Sequence, residues 1–100
     1  MGTAYEVTYR NMFPSDALNA RIRDNFGALK ARVPAARSCS AWLERAVDDR
    51  LKLRIEVTDG ERPLGTRRIV KPRADVCAEI DAAFLELSRD LESGMLARAA

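Results

Sequence analysis

Between Tyr5 and Arg10 the chain alternates with period two: Tyr5, Val7 and Tyr9 fall on one side, Glu6, Thr8 and Arg10 on the other. Successive side chains of an extended chain point to opposite faces, so this alternation predicts a strand with one face buried. After Pro14 the period changes. Leu18, Ile22, Phe26, Leu29 and Val33 recur at spacings of four, four, three and four. At about 100° per residue that is a single narrow stripe, which predicts an amphipathic helix. Ser15 stands where a hydroxyl can accept from an otherwise unpaired helix N–H, and Asp16 puts a carboxylate in the first turn, where the helix dipole favours it. Pro34 ends the helix, because the residue before a proline is pushed out of helical geometry.

The remaining elements follow from the same two periods. Residues 37–46 predict a second strand, with Cys39, Ala41 and Leu43 opposed to Ser40, Trp42 and Glu44. Asp48-Asp49-Arg50 is a polar turn. Leu51, Leu53, Ile55 and Val57 then alternate with Lys52, Arg54, Glu56 and Thr58, the cleanest strand pattern in the chain. Asp59-Gly60 signals a turn, and Pro63 and Gly65 read as an extension of its loop. A fourth strand is expected over residues 66–71, with a pattern too weak to assign its faces. Asp75 is placed to cap a last helix, in which Val76, Ile80, Phe84, Leu87 and Leu91 repeat the spacing of the first. Gly94 is expected to stop it, leaving residues 95–100 as a frayed tail.

Two helices with one apolar stripe each can both be buried on one face of a four-stranded sheet. The expected fold is therefore α+β, a two-layer βαβββα sandwich with both helices on the same face. A crossover through the first helix makes the first two strands parallel, and hairpins join the later ones. The other face of the sheet is left in water, displaying Arg10, Trp42, Lys52, Arg54 and Glu56.

Composition narrows the function classes. One hundred residues at 47% hydrophobic read as one globular domain, with an ordered core over about residues 4–93. No apolar run approaches the roughly 20 residues of a membrane span, and the N-terminal stretch lacks the basic start and apolar core of a signal peptide, so a cytoplasmic address is expected. Histidine is absent, which removes the usual general base and the commonest metal ligand. The carboxylate pairs sit in turns or along one helix face without a complementary acid, base or nucleophile. No enzyme activity, cofactor, metal or small-molecule substrate is expected. Cys39 and Cys77 have no metal or redox spacing and read as small, reduced core residues.

The net charge is only +2, but it is unevenly spread. Residues 75–92 carry six acids against Arg89, whereas residues 62–73 hold Arg62, Arg67, Arg68, Lys71 and Arg73 with no acid. Local fields of this kind steer association more than net charge does. On the first helix Arg21 and Arg32 flank the apolar stripe on one side, Arg23 and Lys30 on the other. Such cations either lie over the core rim as a solvated face or reach an anionic partner.

The segments VTYRNMFPSDALNARIR, ARSCSAWLE, LRIEVTDG and DVCAEIDAAFLEL, in that order, resemble the short ribosome-hibernation proteins. That is the family of hibernation-promoting factor, ribosome-associated inhibitor A and the sigma-54 modulation proteins. The likeness runs from Tyr5 to about Glu92. It implies the same βαβββα layout, one similar to that of double-stranded-RNA-binding domains. It further implies binding to the small ribosomal subunit and its 16S rRNA, no membrane partner, and a role in translation regulation under stress. The rRNA-binding set it implies is Arg10, Arg21, Arg23, Lys30 and Arg89, with Arg32 beside them; Arg62, Arg67, Arg68, Lys71 and Arg73 form a secondary basic cluster. Asn25 and Ala28 stand where family members often carry a cation, and Glu86 and Ser93 where the last helix is usually basic.

Two other functions fit the same residues. The acidic edge Glu79, Glu86 and Asp90 suits a diverged protein-interaction module of this fold that no longer binds RNA. The open sheet face could instead be a single-strand platform, with Trp42 stacking a base beside Lys52 and Arg54.

Overall fold

The computed structural model describes residues 4–99, with side chains through Ser93. In chain order the elements are β1 (Tyr5–Arg10), α1 (Asp16–Arg32), β2 (Ser38–Arg45), β3 (Leu51–Thr58), β4 (Pro63–Val70) and α2 (Val76–Ala99). The strands lie in the order β1-β2-β3-β4. β1 and β2 are parallel, as a helical crossover requires, and the two later pairs are antiparallel hairpins.

Each helix starts as its sequence dictates. The Ser15 hydroxyl accepts from the Leu18 N–H at 3.2 Å, and the Asp75 carboxylate accepts from the Ala78 N–H at 3.2 Å. The Tyr9 hydroxyl donates to the Ser15 carbonyl at 3.0 Å, tying the end of β1 to the entrance of α1. Gly60 holds the β3–β4 turn at φ 100°, a conformation that a Cβ would strain.

One layer of side chains fills the space between sheet and helices. Ile22, Phe26 and Leu29 of α1, with the C-cap Val33, meet Ile80, Ala83, Phe84 and Leu87 of α2 over Cys39, Ala41, Leu43, Leu51, Leu53, Ile55 and Val57 of the sheet. Leu18, Val76 and Leu91, at the ends of the two stripes, are only partly buried. The expected α+β sandwich is therefore the observed one.

Two boundaries differ from the sequence reading. β4 begins at Pro63, not residue 66, because Pro63, Leu64 and Gly65 continue the ladder opposite Thr58, Val57 and Glu56. Pro63 is tolerated as the first residue of an edge strand, where its missing N–H costs no central ladder bond. The backbone of α2 runs through Gly94 to Ala99 instead of stopping there. The residues after Gly94 include Met, Leu, Arg and two Ala, all strong helix formers, and an interior Gly costs only about 1 kcal/mol. Ala100, the end of the expected frayed tail, lies outside the described residues.

Candidate nucleic-acid interface

The helix layer is held together across its outer rim by side chains sixty positions apart. Arg21 of α1 forms a two-pronged ion pair with Asp81 of α2, its Nε donating to Oδ1 at 2.8 Å and its Nη2 to Oδ2. Asn25 donates from Nδ2 to Asp81 Oδ1 at 2.8 Å and to the Arg21 carbonyl at 2.9 Å. Further along, Arg32 donates to Glu92 at 2.8 Å. Since both partners advance by eleven residues, α1 and α2 run in the same direction with a constant offset. Between the two pairs lies a shallow groove floored by Ala28, Leu29, Phe84 and Leu85. The Arg21 hydrogen bond, reinforced by that from Asn25, holds the Asp81 carboxyl below its ordinary value, and Asp81 raises Arg21 in turn.

These contacts redistribute the expected rRNA-binding set. Arg21 and Arg32 are pinned between the helices, and Arg23 is paired with its neighbour Asp24 at 3.2 Å. Lys30 and Arg89 are exposed and make no ion pair among the described residues. Arg10 does not join them at all. It follows Tyr9, which packs on the core, and therefore emerges on the face of the sheet away from the helices. Asn25, a neutral side chain where the resembled family favours a cation, has a positive role here as the second clamp on Asp81.

The secondary basic cluster is dispersed. Arg62 precedes β4 and Lys71 and Arg73 follow it, so they sit at opposite ends of a strand of 8 residues, a separation on the order of 25 Å. Arg67 and Arg68 are neighbours and point to opposite faces. Arg68 pairs across the sheet with the buried Leu53, so its side chain lies under α2. There its guanidinium donates to Glu79 at 3.2 Å and to Glu86 at 3.1 Å, and the Thr66 hydroxyl donates to Glu86 at 3.2 Å. Its Nε is buried without a partner. Glu86, an acid where the resembled family's helix is basic, thus serves as the anchor for an arginine of the sheet.

The opposite face of the sheet can be laid out as a grid from the strand register. One row reads Arg10, Glu44, Lys52, Ile69; the next reads Thr8, Trp42, Arg54, Arg67; the third reads Glu6, Ser40, Glu56, Gly65. The Arg54 guanidinium carbon lies 4.7 Å from the Trp42 ring centroid, and Arg54 also donates to Glu56 at 3.1 Å. The charges are unevenly spread: the first two rows hold four cations and Glu44, whereas the only charged residues of the third are Glu6 and Glu56. A depression of about 390 Å³ opens over the cationic rows. The sequence showed Trp42, Lys52 and Arg54 on this face. It did not show Arg67 beside them, because the facing of β4 rests on its pairing with β3. Two exposed apolar residues, Phe13 and Val47, stand in the β1–α1 and β2–β3 connections at the same end of the sheet. Neither falls on a helical or strand stripe, and no sequence pattern singled them out.

Two solved structures share this fold over nearly its whole length. The N-terminal domain of Protein Y from Thermus thermophilus superposes with a TM-score of 0.73 at 19% identity, covering 92% of this chain and 98% of that one. A ribosomal subunit interface protein from Coxiella burnetii gives 0.77 at 10% identity, covering 93% and 98%. No protein-family model matches the sequence, and no curated protein matches it. At these identities the likeness establishes the fold. Among the described residues no helix is long and apolar enough to cross a membrane.

Proposed function

We propose that this chain is a ribosome-associated regulator of translation that contacts the 16S rRNA of the small subunit through its helix layer. The observation that carries the reading is the fold, shared over nearly its whole length with a protein described as a ribosomal subunit interface protein. The sequence segments quoted above support it independently. Phosphates are met by Lys and Arg without base specificity, so the contact needs only cations free to turn outward. Lys30 and Arg89 meet that condition. Arg21 and Arg32 keep unused guanidinium donors, and their side chains remain 47% and 57% exposed while bridging the helices. Arg10 belongs to another surface.

Co-sedimentation with purified small subunits tests the proposal. Association is expected at low salt and weakening at moderate salt, since each cation–phosphate contact releases a counterion. The double variant Lys30→Glu/Arg89→Glu is expected to lose association at both. Absence of any association of the parent protein at low salt overturns the reading.

A second reading rests on the charge of α2. Its residues 76–93 carry Glu79, Asp81, Glu86, Asp90 and Glu92 against the single cation Arg89, and an acid facing phosphate repels it. This surface suits a protein partner with basic residues. Association with a cell-lysate component that survives nuclease treatment, together with no binding to purified small subunits, would select this alternative.

A further inference from the structure

We infer that the uncovered face of the sheet is a second binding surface, one that takes single-stranded nucleic acid, with its centre at Trp42. The inference uses no residue of the helix layer and stands apart from the proposed contact there.

Three observations point the same way. Arg54 holds its guanidinium over the Trp42 ring at 4.7 Å and is kept there by Glu56 at 3.1 Å, so the pair forms a preorganised plate. Bases stack on aromatic rings and on guanidinium planes alike, and such stacking is indifferent to base identity. Around the plate, Arg10, Lys52 and Arg67 are exposed and have no ion-pair partner among the described residues. They stand on three different strands, β1, β3 and β4, and so flank Trp42 from several sides. Finally, the one acid in these two rows is Glu44, whereas Glu6 and Glu56 lie a row further along the strands. Against Arg10, Lys52, Arg54 and Arg67 stand Glu44 and the Glu56 that pairs with Arg54, which leaves a formal excess of two positive charges around the plate.

The occupant follows from this chemistry. A polyanion alone would need the cations but not the plate, and an apolar partner would need the plate but not the cations. A duplex presents phosphates with its bases stacked inside and would leave Trp42 and Ile69 unused. A single strand with an unstacked base supplies both a ring face and flanking phosphates. Ile69, 63% exposed at the edge of the depression, gives an adjoining sugar or base an apolar contact.

Trp42 is the only tryptophan, so tryptophan emission, excited beyond the tyrosine absorption, reports on this site alone. The full chain titrated with an oligouridine decamer at low salt is expected to show saturable quenching. The plot of log affinity against log salt should slope by about −2 to −3, as three or four phosphates at about −0.7 each require. Arg67→Glu and Lys52→Glu, both at exposed positions, should each weaken binding by about tenfold. Trp42→Phe, followed by anisotropy of a labelled decamer, should retain most of the affinity that Trp42→Ala loses. Failure of the decamer to quench overturns the inference. So does equal binding of duplex RNA or polyglutamate, and so does loss of decamer binding in Lys30→Glu/Arg89→Glu with Arg67→Glu unaffected. Absence of small-subunit association by the parent chain, with its decamer binding intact, would overturn only the helix-layer reading.

Discussion

Arg67 and Arg68 are adjacent in sequence and chemically identical, yet replacing them should produce opposite phenotypes. The Arg68 side chain is 29% exposed and shared between Glu79 and Glu86, whose side chains are 36% and 50% exposed. Removing one partner from a deeply buried pair costs about 3–5 kcal/mol, whereas an exposed pair contributes about 0.2–1 kcal/mol. The Arg68 site lies between these limits, so Arg68→Met, which keeps the apolar stem, should cost about 1–2 kcal/mol. Arg68→Ala also uncovers the stem at about 0.8 kcal/mol per methylene, bringing the loss to about 2–3 kcal/mol. For a domain of this size each kcal/mol lowers Tm by about 4–8 °C. Arg67→Ala, exposed on the open face, should stay within about 0.5 kcal/mol of the parent. Urea and thermal unfolding measure the first property and oligouridine titration the second. Arg68→Met should melt early and bind normally; Arg67→Ala should melt normally and bind weakly. Equal melting temperatures for Arg68→Met and the parent, or equal loss of binding in both variants, would refute the facing of β4 on which this reasoning depends.

Other outcomes follow from the core and the helix rim. Phe26, fully buried, should cost about 3–5 kcal/mol when cut to Ala, a large part of the stability of a small domain, read by urea midpoint. The Asp81 carboxyl is held below its ordinary value of 3.8 in the folded chain, so its contribution is present above that pH and lost as pH falls through the folded value. The stability deficit of Asp81→Asn measured at pH 7 should therefore shrink below about pH 4; a deficit that persists unchanged at pH 3 would count against the Arg21 pair as its source. Burial pushes the Cys39 thiol up to about 12, so alkylation at pH 8 should modify the half-buried Cys77 and spare Cys39 until the chain is unfolded. Peptide mapping by mass spectrometry reads the two sites separately.

The parts of this molecule that obey a local period were legible before its structure. The stripes from Leu18 to Val33 and from Val76 to Leu91 identified both helices and the face each buries. The alternation through Leu51–Thr58 identified the central strand. What escaped is set by partners distant in sequence. Pro63 and Gly65 look like loop residues because their strand character comes from the facing segment Glu56–Thr58. The ion pairs joining Arg21 to Asp81 and Arg32 to Glu92 obey no local spacing rule, so cations that flank a stripe in sequence became rim clasps in space. Gly94 was misjudged in the opposite sense, its local weakness being outweighed by the helix formers on either side. The open face was thus visible through Arg10, Trp42, Lys52 and Arg54, but not the parting of Arg67 from Arg68 or the clasps that pin Arg21 and Arg32.

The common direction of α1 and α2 has an electrical consequence. An antiparallel pair would cancel its peptide dipoles, but here both amino-terminal ends point the same way, toward the edge where β1, β2 and β4 finish. Arg10, Lys52, Arg54 and Arg67 crowd toward that edge on the far side of the sheet. The domain therefore carries two helix dipoles that add along its length, on top of a net charge of only +2. It should be turned end-on by the field of a large polyanion before any contact forms, giving an encounter rate that falls with ionic strength more steeply than so small a total charge implies.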